Sequence, residues 1–185
     1  RQQLRASARI ISLSVSNPSP TPDQLTALAV ELDVEGGLEL LRRLGGGIDA
    51  TMELLRLTDD SGRQRKVILR RYGKWVASKG QEHADREVAI LRLLSTAGLP
   101  VSAPVWVDTN QIFPEPALVL EYIDGEPLTR PEDETDWARQ VARFLVSLHA
   151  IPVDPDVSSL LKDNRVEISR KYSSPTAAQN FSKLA

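Results

Sequence analysis

Two arginines end a run of apolar residues that has the composition of a buried strand. The run reads Lys66-Val67-Ile68-Leu69-Arg70-Arg71-Tyr72. Because side chains alternate across a strand, Arg70 is predicted on the same face as Ile68, and Arg71 on the opposite face. A fixed cation at the end of one apolar face is a candidate ligand for phosphate groups. The alternative is that both arginines are solvated charges at the end of the strand.

A glutamate further along the chain has the position of a partner for one of these arginines. Residues 81–97 follow a helical pattern, and Glu87 lies three residues after Ala84 and four before Leu91. This spacing places Glu87 on the apolar side of the helix. A carboxylate on that side is costly to desolvate without a cation, so Arg70 is its predicted partner. The alternative is that Glu87 lies at the edge of the apolar stripe and reaches water beside Arg86.

Three consecutive glycines, Gly45, Gly46 and Gly47, separate two strand-like runs. A turn does not need three glycines, and each one costs backbone entropy on folding. Glycine is required where backbone N–H groups approach a ligand closely, as in the loops that cover phosphates. The triplet is therefore a candidate for a phosphate-covering loop, although three glycines alone do not decide this. Asp49 would repel a phosphate unless its side chain turns away or forms an ion pair.

The elements that must position these residues follow from hydrophobic patterning. Strand-like runs over 38–44, 51–58 and 64–72, joined by short turn-rich links, predict an antiparallel meander. Two further strands are predicted over 101–108 and 117–123. Helices are predicted from the N-cap Thr21 to the glycines at 36–37 and over 81–97 and 135–150. The last helix carries an apolar stripe, which consists of Trp137, Val141, Phe144 and Leu148. This stripe predicts that the helix packs into a separate helical core.

Composition narrows the class of protein. With 185 residues, the chain suits one domain, or one lobe with part of a second. Its 23 basic and 25 acidic residues nearly balance, which argues against a general attraction to nucleic acid or to a membrane surface. The absence of cysteine excludes disulfide scaffolds and thiol catalysis. No apolar run approaches the roughly 20 residues of a membrane span, so we expect a cytoplasmic protein.

Six motifs occur in a characteristic order between about residues 36 and 152. They are Leu44-Gly45-Gly46-Gly47, Val67-Ile68-Leu69-Arg70-Arg71-Tyr72, Arg86-Glu87-Val88-Ala89-Ile90-Leu91-Arg92-Leu93-Leu94, Leu99-Pro100-Val101-Ser102-Ala103-Pro104, Leu118-Val119-Leu120-Glu121-Tyr122-Ile123-Asp124-Gly125 and Leu145-Val146-Ser147-Leu148-His149-Ala150-Ile151-Pro152. Together they resemble the amino-terminal lobe of the aminoglycoside phosphotransferase family, whose members are small-molecule kinases with a protein-kinase-like fold.

The resemblance implies an α+β fold with three parts. Residues 1–35 would be an amino-terminal extension with a short helix. Residues 36–123 would be the nucleotide-binding lobe, a sheet of about five antiparallel strands with one main helix and a hinge at its end. Residues 124–185 would be the beginning of a helical substrate lobe, of which we expect this sequence to contain only the first helix or helices.

The resemblance also implies a role for each candidate site residue. Arg70 would hold the α- and β-phosphates, where the family commonly has lysine, and Glu87 would be its helix partner. Arg71 faces the other way and is the weaker candidate. The remaining candidates would contact the nucleotide: Gly45, Gly46 and Gly47 at the phosphates, Ile68 and Leu120 at the adenine ring, and the backbone of Glu121, Tyr122 and Ile123 at its edge.

The implied function is transfer of the γ-phosphoryl group of ATP, with GTP as the alternative, to a hydroxyl group of a small molecule. The acceptor would be an aminoglycoside, a sugar or an amino alcohol. The partners would thus be the nucleotide and the acceptor, without nucleic acid or membrane, and the oligomeric state stays open.

The family's catalytic loop and its Mg²⁺ ligands have no counterpart that we can identify in this sequence. The two histidines, His83 and His149, do not begin such a loop. We therefore expect no catalytic or metal-binding residue in this chain, metal ligands outside it, and no activity of the chain alone. The alternatives are a non-catalytic, pseudokinase-like binding or scaffolding module, and a piece that does not fold stably alone.

Overall fold

The computed structural model describes residues 17–45, 49–73, 81–126, 128 and 130–160. Residues 1–16 of the predicted amino-terminal extension, the glycines Gly46 and Gly47, and residues 161–185 of the predicted helical lobe lie outside the described residues. The helices and strands are, in chain order, α1 (Pro22–Glu31), β1 (Leu38–Leu44), β2 (Ala50–Thr58), β3 (Gln64–Tyr72), α2 (Gln81–Thr96), β4 (Pro104–Val107), β5 (Ala117–Glu121), α3 (Glu134–His149) and α4 (Pro155–Leu160).

The strands form one antiparallel sheet in the order β1-β2-β3-β5-β4. Strand β3 lies in the centre, between β2 and β5, so the predicted meander and the later strands meet along it. The five strands and the helices beside them confirm the predicted α+β class. Alternation along β3 also follows the prediction, because Ile68 and Val67 belong to separate cores on opposite faces of the sheet.

Helix α2 covers the face of the sheet that carries Ile68. Its Ala84 and Val88 are buried there, with Leu91 packed against the same core. The other residues of this first core come from the sheet: Ala50, Leu54, Ile68, Tyr72, Leu118 and Leu120.

Helix α1 covers the opposite face of the sheet. It begins with the predicted N-cap, because the Thr21 side chain accepts a hydrogen bond from Gln24 N–H at 3.2 Å, and the Gln24 side chain accepts one from Thr21 N–H at 3.0 Å. Leu28 is fully buried in the second core. The sheet and the adjoining loop provide the rest of this core: Leu55, Leu57, Val67, Leu69, Phe113, Ala117 and Val119.

Two strands are shorter than their apolar runs. Strand β4 covers 104–107 rather than 101–108, and its register with β5 shifts between Pro104 and Trp106. Proline has no N–H group for the ladder, which explains the irregularity at that end. Strand β5 ends at Glu121, whose N–H donates to the carbonyl of Ala103 at 2.9 Å, so Tyr122 and Ile123 lie beyond the sheet.

The apolar stripe of α3 is not buried by the part of the chain that the structure describes. Trp137 is 46% exposed and Phe144 is 38% exposed. The helical core predicted for this stripe is therefore not present among the described residues. The chain divides after Ile151, and the described part of the second unit contains α4. None of the described helices is both long and apolar enough to span a membrane.

Candidate functional site

Arg70 and Glu87 form an ion pair between the end of β3 and the first half of α2. Arg70 Nη1 lies 2.7 Å from Glu87 Oε1. Helix α2 buries Ala84 and Val88 against the sheet, and this packing brings the Glu87 side chain to the strand end. The two side chains are 26% and 22% exposed, so the pair lies at the boundary between the core and the solvent. The pairing predicted from the sequence is present.

Arg70 has hydrogen-bonding capacity beyond this pair. Its Nε atom is buried and meets no hydrogen-bond acceptor among the described residues. A buried donor without an acceptor is unfavourable, and such groups in native proteins call for an explanation such as a bound ion or ligand. Arginine suits that role because its guanidinium group stays charged and its donors match the oxygens of carboxylates and phosphates.

Tyr72 completes the arrangement around Glu87. Its hydroxyl group donates a hydrogen bond to Glu87 Oε2, the oxygen that does not face Arg70. Burial, together with the Glu87 carboxylate, raises the pKa of Tyr72 above its ordinary value of 10.0. Tyr72 was not among the site residues predicted from the sequence, but it lies one strand period after Arg70, and this spacing was the available signal.

Arg71 has a different environment on the opposite face. Its Nε donates to Glu53 Oε2 at 2.9 Å and its Nη2 to Glu53 Oε1 at 2.7 Å, while its Nη1 donates to Glu115 Oε1 at 2.8 Å. Nη2 also donates to the carbonyl of Pro18. Arg71 is 1% exposed and Glu53 is completely buried. This bidentate, fully enclosed pair is structural and does not present a cation to a ligand.

The residues predicted at the adenine ring are adjacent in the sheet. Ile68 and Leu120 face each other across β3 and β5. Both are buried in the first core, so each could offer a base only a small part of its surface. Tyr122 packs against the same core, and the Lys66 ammonium lies 5.3 Å from the centre of its ring.

The predicted hinge provides fewer free backbone groups than expected. The N–H of Glu121 bonds to Ala103, so this amide is not available to an adenine edge. A contact from the hinge would have to use the carbonyl of Glu121 or the backbone of Tyr122 and Ile123. The side chain of Ile123 is 55% exposed.

The glycine loop is described only at its edges. A Cβ atom at Gly45 would meet no other atom within 4 Å, so the described surroundings do not by themselves require glycine there. Asp49, on the other side of the loop, is exposed, and its carbonyl accepts a hydrogen bond from Gly73 N–H at 2.8 Å. This bond places Asp49 next to the end of β3, the strand that carries Arg70.

The described residues contain no cluster of metal-binding side chains. No three acidic, histidine or cysteine side chains in that part of the chain stand close enough together to hold a metal ion. The described residues therefore contain no metal site built from three such side chains, and no chemical step through a metal is assigned to them.

Comparison with models of known protein families identifies the family of this chain. The sequence model of the family described as "phosphotransferase enzyme family" matches residues 41–179, well over half of the chain. The match includes the positions of the Arg70–Glu87 pair, the glycine loop and the hinge. It confirms the resemblance drawn from the six motifs, and the sheet with its helices agrees with the amino-terminal lobe of that fold. No curated protein matches the chain.

Proposed function

The chain belongs to the phosphotransferase enzyme family, and from that premise we propose that it supplies the ATP-binding part of a small-molecule kinase. The reaction would transfer the γ-phosphoryl group to a hydroxyl group of an aminoglycoside, a sugar or an amino alcohol. The observation that carries the proposal is the Arg70–Glu87 pair, with its partly exposed guanidinium group and its Nε atom without an acceptor in the described residues.

The role of this pair is positioning. Phosphoryl transfer depends mainly on orientation of the phosphates and on stabilisation of their charge. Glu87 fixes one end of the Arg70 guanidinium group, and the remaining donors would bind the α- and β-phosphates, with the loop of Gly45, Gly46 and Gly47 above them. Mg²⁺ would accompany the nucleotide, and its ligands would lie outside the described residues. No catalytic residue is assigned to this chain.

The base would bind beside Ile68, Leu120 and the hinge. Ile68 and Leu120, which pair across β3 and β5, would form its apolar floor with the small part of their surface that is exposed. Tyr122 and Ile123 would supply the edge at which the base hydrogen-bonds. The division into an extension over 1–35, a nucleotide-binding lobe over 36–123 and the start of a helical lobe over 124–185 belongs to this proposal.

The test is MgATP binding by the intact chain, measured by calorimetry, with Arg70→Met beside the wild type. Loss of charge-assisted hydrogen bonds to phosphate is expected to weaken binding about tenfold to a hundredfold. The control is Arg56→Met, which removes an arginine that pairs with Glu39 at 3.0 Å on an exposed part of the sheet. Its affinity should equal that of the wild type.

Equal affinities of Arg70→Met and the wild type would contradict the proposed phosphate role. A wild type that does not bind MgATP would favour the alternative, a pseudokinase-like module in which the pair has a structural purpose. Replacing MgATP with MgGTP in the same titrations would decide between the two nucleotides.

A further inference from the structure

Tyr72 and Arg70 hold the same carboxylate from two positions of one strand. Arg70 binds Glu87 Oε1, and the Tyr72 hydroxyl group donates to Glu87 Oε2. Strand residues two apart project from the same face, which places both side chains under α2. Each oxygen of Glu87 thus has its own partner, and rotation of the carboxylate would break both contacts.

Tyr72 is itself held in place by its surroundings. It is 1% exposed, and its ring meets the His83 ring of α2 edge to face at a centroid distance of 5.4 Å. Its N–H donates to the carbonyl of Pro116 at 3.0 Å, and its carbonyl accepts from Asn17 Nδ2 at 3.1 Å. A ring with such fixed neighbours has little rotational freedom.

The Arg70 guanidinium carbon lies 5.3 Å from the centre of the Tyr72 ring. This is within the range of a cation–π interaction. Tyr72 therefore acts on Arg70 in two ways, through the ring face directly and through the carboxylate that its hydroxyl group orients. Among the described residues, the charged and titratable groups that face Tyr72 are Arg70, Glu87 and His83.

We propose that Tyr72 is a positioning residue of the nucleotide site: its hydroxyl group holds Glu87 so that Arg70 presents its free donors to the phosphates. This inference rests on the function proposed above. It assigns Tyr72 no contact with the nucleotide, since its hydroxyl group is already committed to Glu87. Removing the hydroxyl group should disturb binding only while Arg70 is present to be positioned.

The first experiment is a double-mutant cycle on MgATP binding with wild type, Tyr72→Phe, Arg70→Met and the double variant. Tyr72→Phe removes the hydrogen bond to the Glu87 carboxylate, and this loss is expected to weaken MgATP binding about threefold to tenfold. In the Arg70→Met background the same substitution should change affinity by less than about twofold, because its effect passes through Arg70.

The matched control is Phe113→Leu, which alters a buried aromatic residue in the second core, on the face opposite Glu87. It tests whether general destabilisation of the sheet weakens MgATP binding. Its affinity should stay at the wild-type value even where its unfolding midpoint falls as far as that of Tyr72→Phe. An equal loss of affinity in Phe113→Leu would overturn the positioning role.

The second readout needs no nucleotide. In ¹⁵N NMR spectra of the free wild type, an ordered Arg70 should give a separate, slowly exchanging Nε–H signal. Tyr72→Phe should broaden this signal or move it to the position of exposed arginines, whereas Phe113→Leu should leave it in place. An unchanged Arg70 signal in Tyr72→Phe would overturn the inference.

The two experiments separate failure of this inference from failure of the proposed function. Weaker MgATP binding by Arg70→Met, together with wild-type binding by Tyr72→Phe, would overturn only the role of Tyr72. Wild-type binding by Arg70→Met would contradict the phosphate role, and the inference about the nucleotide site would fall with it.

Discussion

Arg70 and Arg71 are neighbours in sequence, and the two faces of β3 give them opposite environments. Arg71 is enclosed, with a bidentate pair to Glu53 and further bonds to Glu115 and Pro18. Arg70 is 26% exposed, has its ion pair with Glu87, and keeps a buried Nε atom without an acceptor in the described part of the chain. A guanidinium group whose donors are satisfied by protein stabilises the fold, whereas one with donors left over can bind a ligand.

The network around Arg71 also connects distant parts of the chain to the strand that carries Arg70. Arg43 Nη2 donates to Glu53 at 3.1 Å and to the carbonyl of Asn17 at 2.7 Å. Asn17 Nδ2 in turn donates to the carbonyl of Tyr72 at 3.1 Å. Asn17 and Pro18, shortly before α1, are thereby fixed to the end of β3. The contacts on the face of Arg71 therefore hold the end of the same strand that carries Arg70 on its other face.

The largest effect is expected on the enclosed face. Arg71→Met should lower the free energy of unfolding by about 3–5 kcal/mol, because the buried Glu53 carboxylate loses its bidentate partner and keeps only the single bond from Arg43. Urea unfolding monitored by circular dichroism would measure this loss. The matched variant is Arg71→Met with Glu53→Met, which removes both charges and should cost less than Arg71→Met alone. A loss below about 1 kcal/mol in the single variant would remove the distinction between the two arginines.

Whether each contact of the two arginines could be predicted from the sequence depends on how far its partner lies along the chain. The opposite orientation of Arg70 and Arg71 follows from strand alternation, and the position of Glu87 follows from helix periodicity, so both were predictable. The environment of Arg71 was not, because Glu53, Glu115 and Pro18 lie 18, 44 and 53 residues away along the chain. Only the register of β2 on β3 and the paths of two loops bring them together.

The same reasoning explains the other differences from the sequence-based predictions. The last two residues of the apolar run over 117–123 lie outside β5 because its ladder ends where Glu121 bonds to Ala103. Hydrophobicity alone does not indicate where a ladder ends. For α3, periodicity predicted an amphipathic helix correctly, but it could not show which residues, if any, would cover Trp137 and Phe144.

The second prediction concerns the hydroxyl group on the partly exposed face. Burial and the Glu87 carboxylate raise the pKa of Tyr72 above 10.0 in the native protein. Above about pH 10 the unfolded chain releases this proton while the native protein keeps it, so stability falls as the pH rises. Below that pH the contribution is complete and constant. The slope attributable to Tyr72 is about 1.4 kcal/mol per pH unit, the value for one proton.

Tyr72→Phe lacks this titration, and its stability should fall less steeply between about pH 10 and about pH 11. Urea unfolding across this range would compare the two proteins, since the lysines and the other tyrosines titrate equally in both. Parallel curves would mean that Tyr72 ionises equally in the native and unfolded states. That outcome would contradict the closed environment that distinguishes Tyr72 from a solvent-exposed tyrosine.

The smallest effect on stability is expected at Arg70, and this result would sharpen the comparison most. Arg70→Met should lower the free energy of unfolding by no more than about 1 kcal/mol, because Glu87 retains the Tyr72 hydroxyl group and is 22% exposed to water. The same substitution is expected to weaken MgATP binding at least about tenfold. Urea unfolding of Arg70→Met and Arg71→Met in parallel would measure the difference. If Arg70→Met destabilised the protein as much as Arg71→Met, both arginines would be structural, and a weakened MgATP affinity would no longer indicate a direct contact with phosphate.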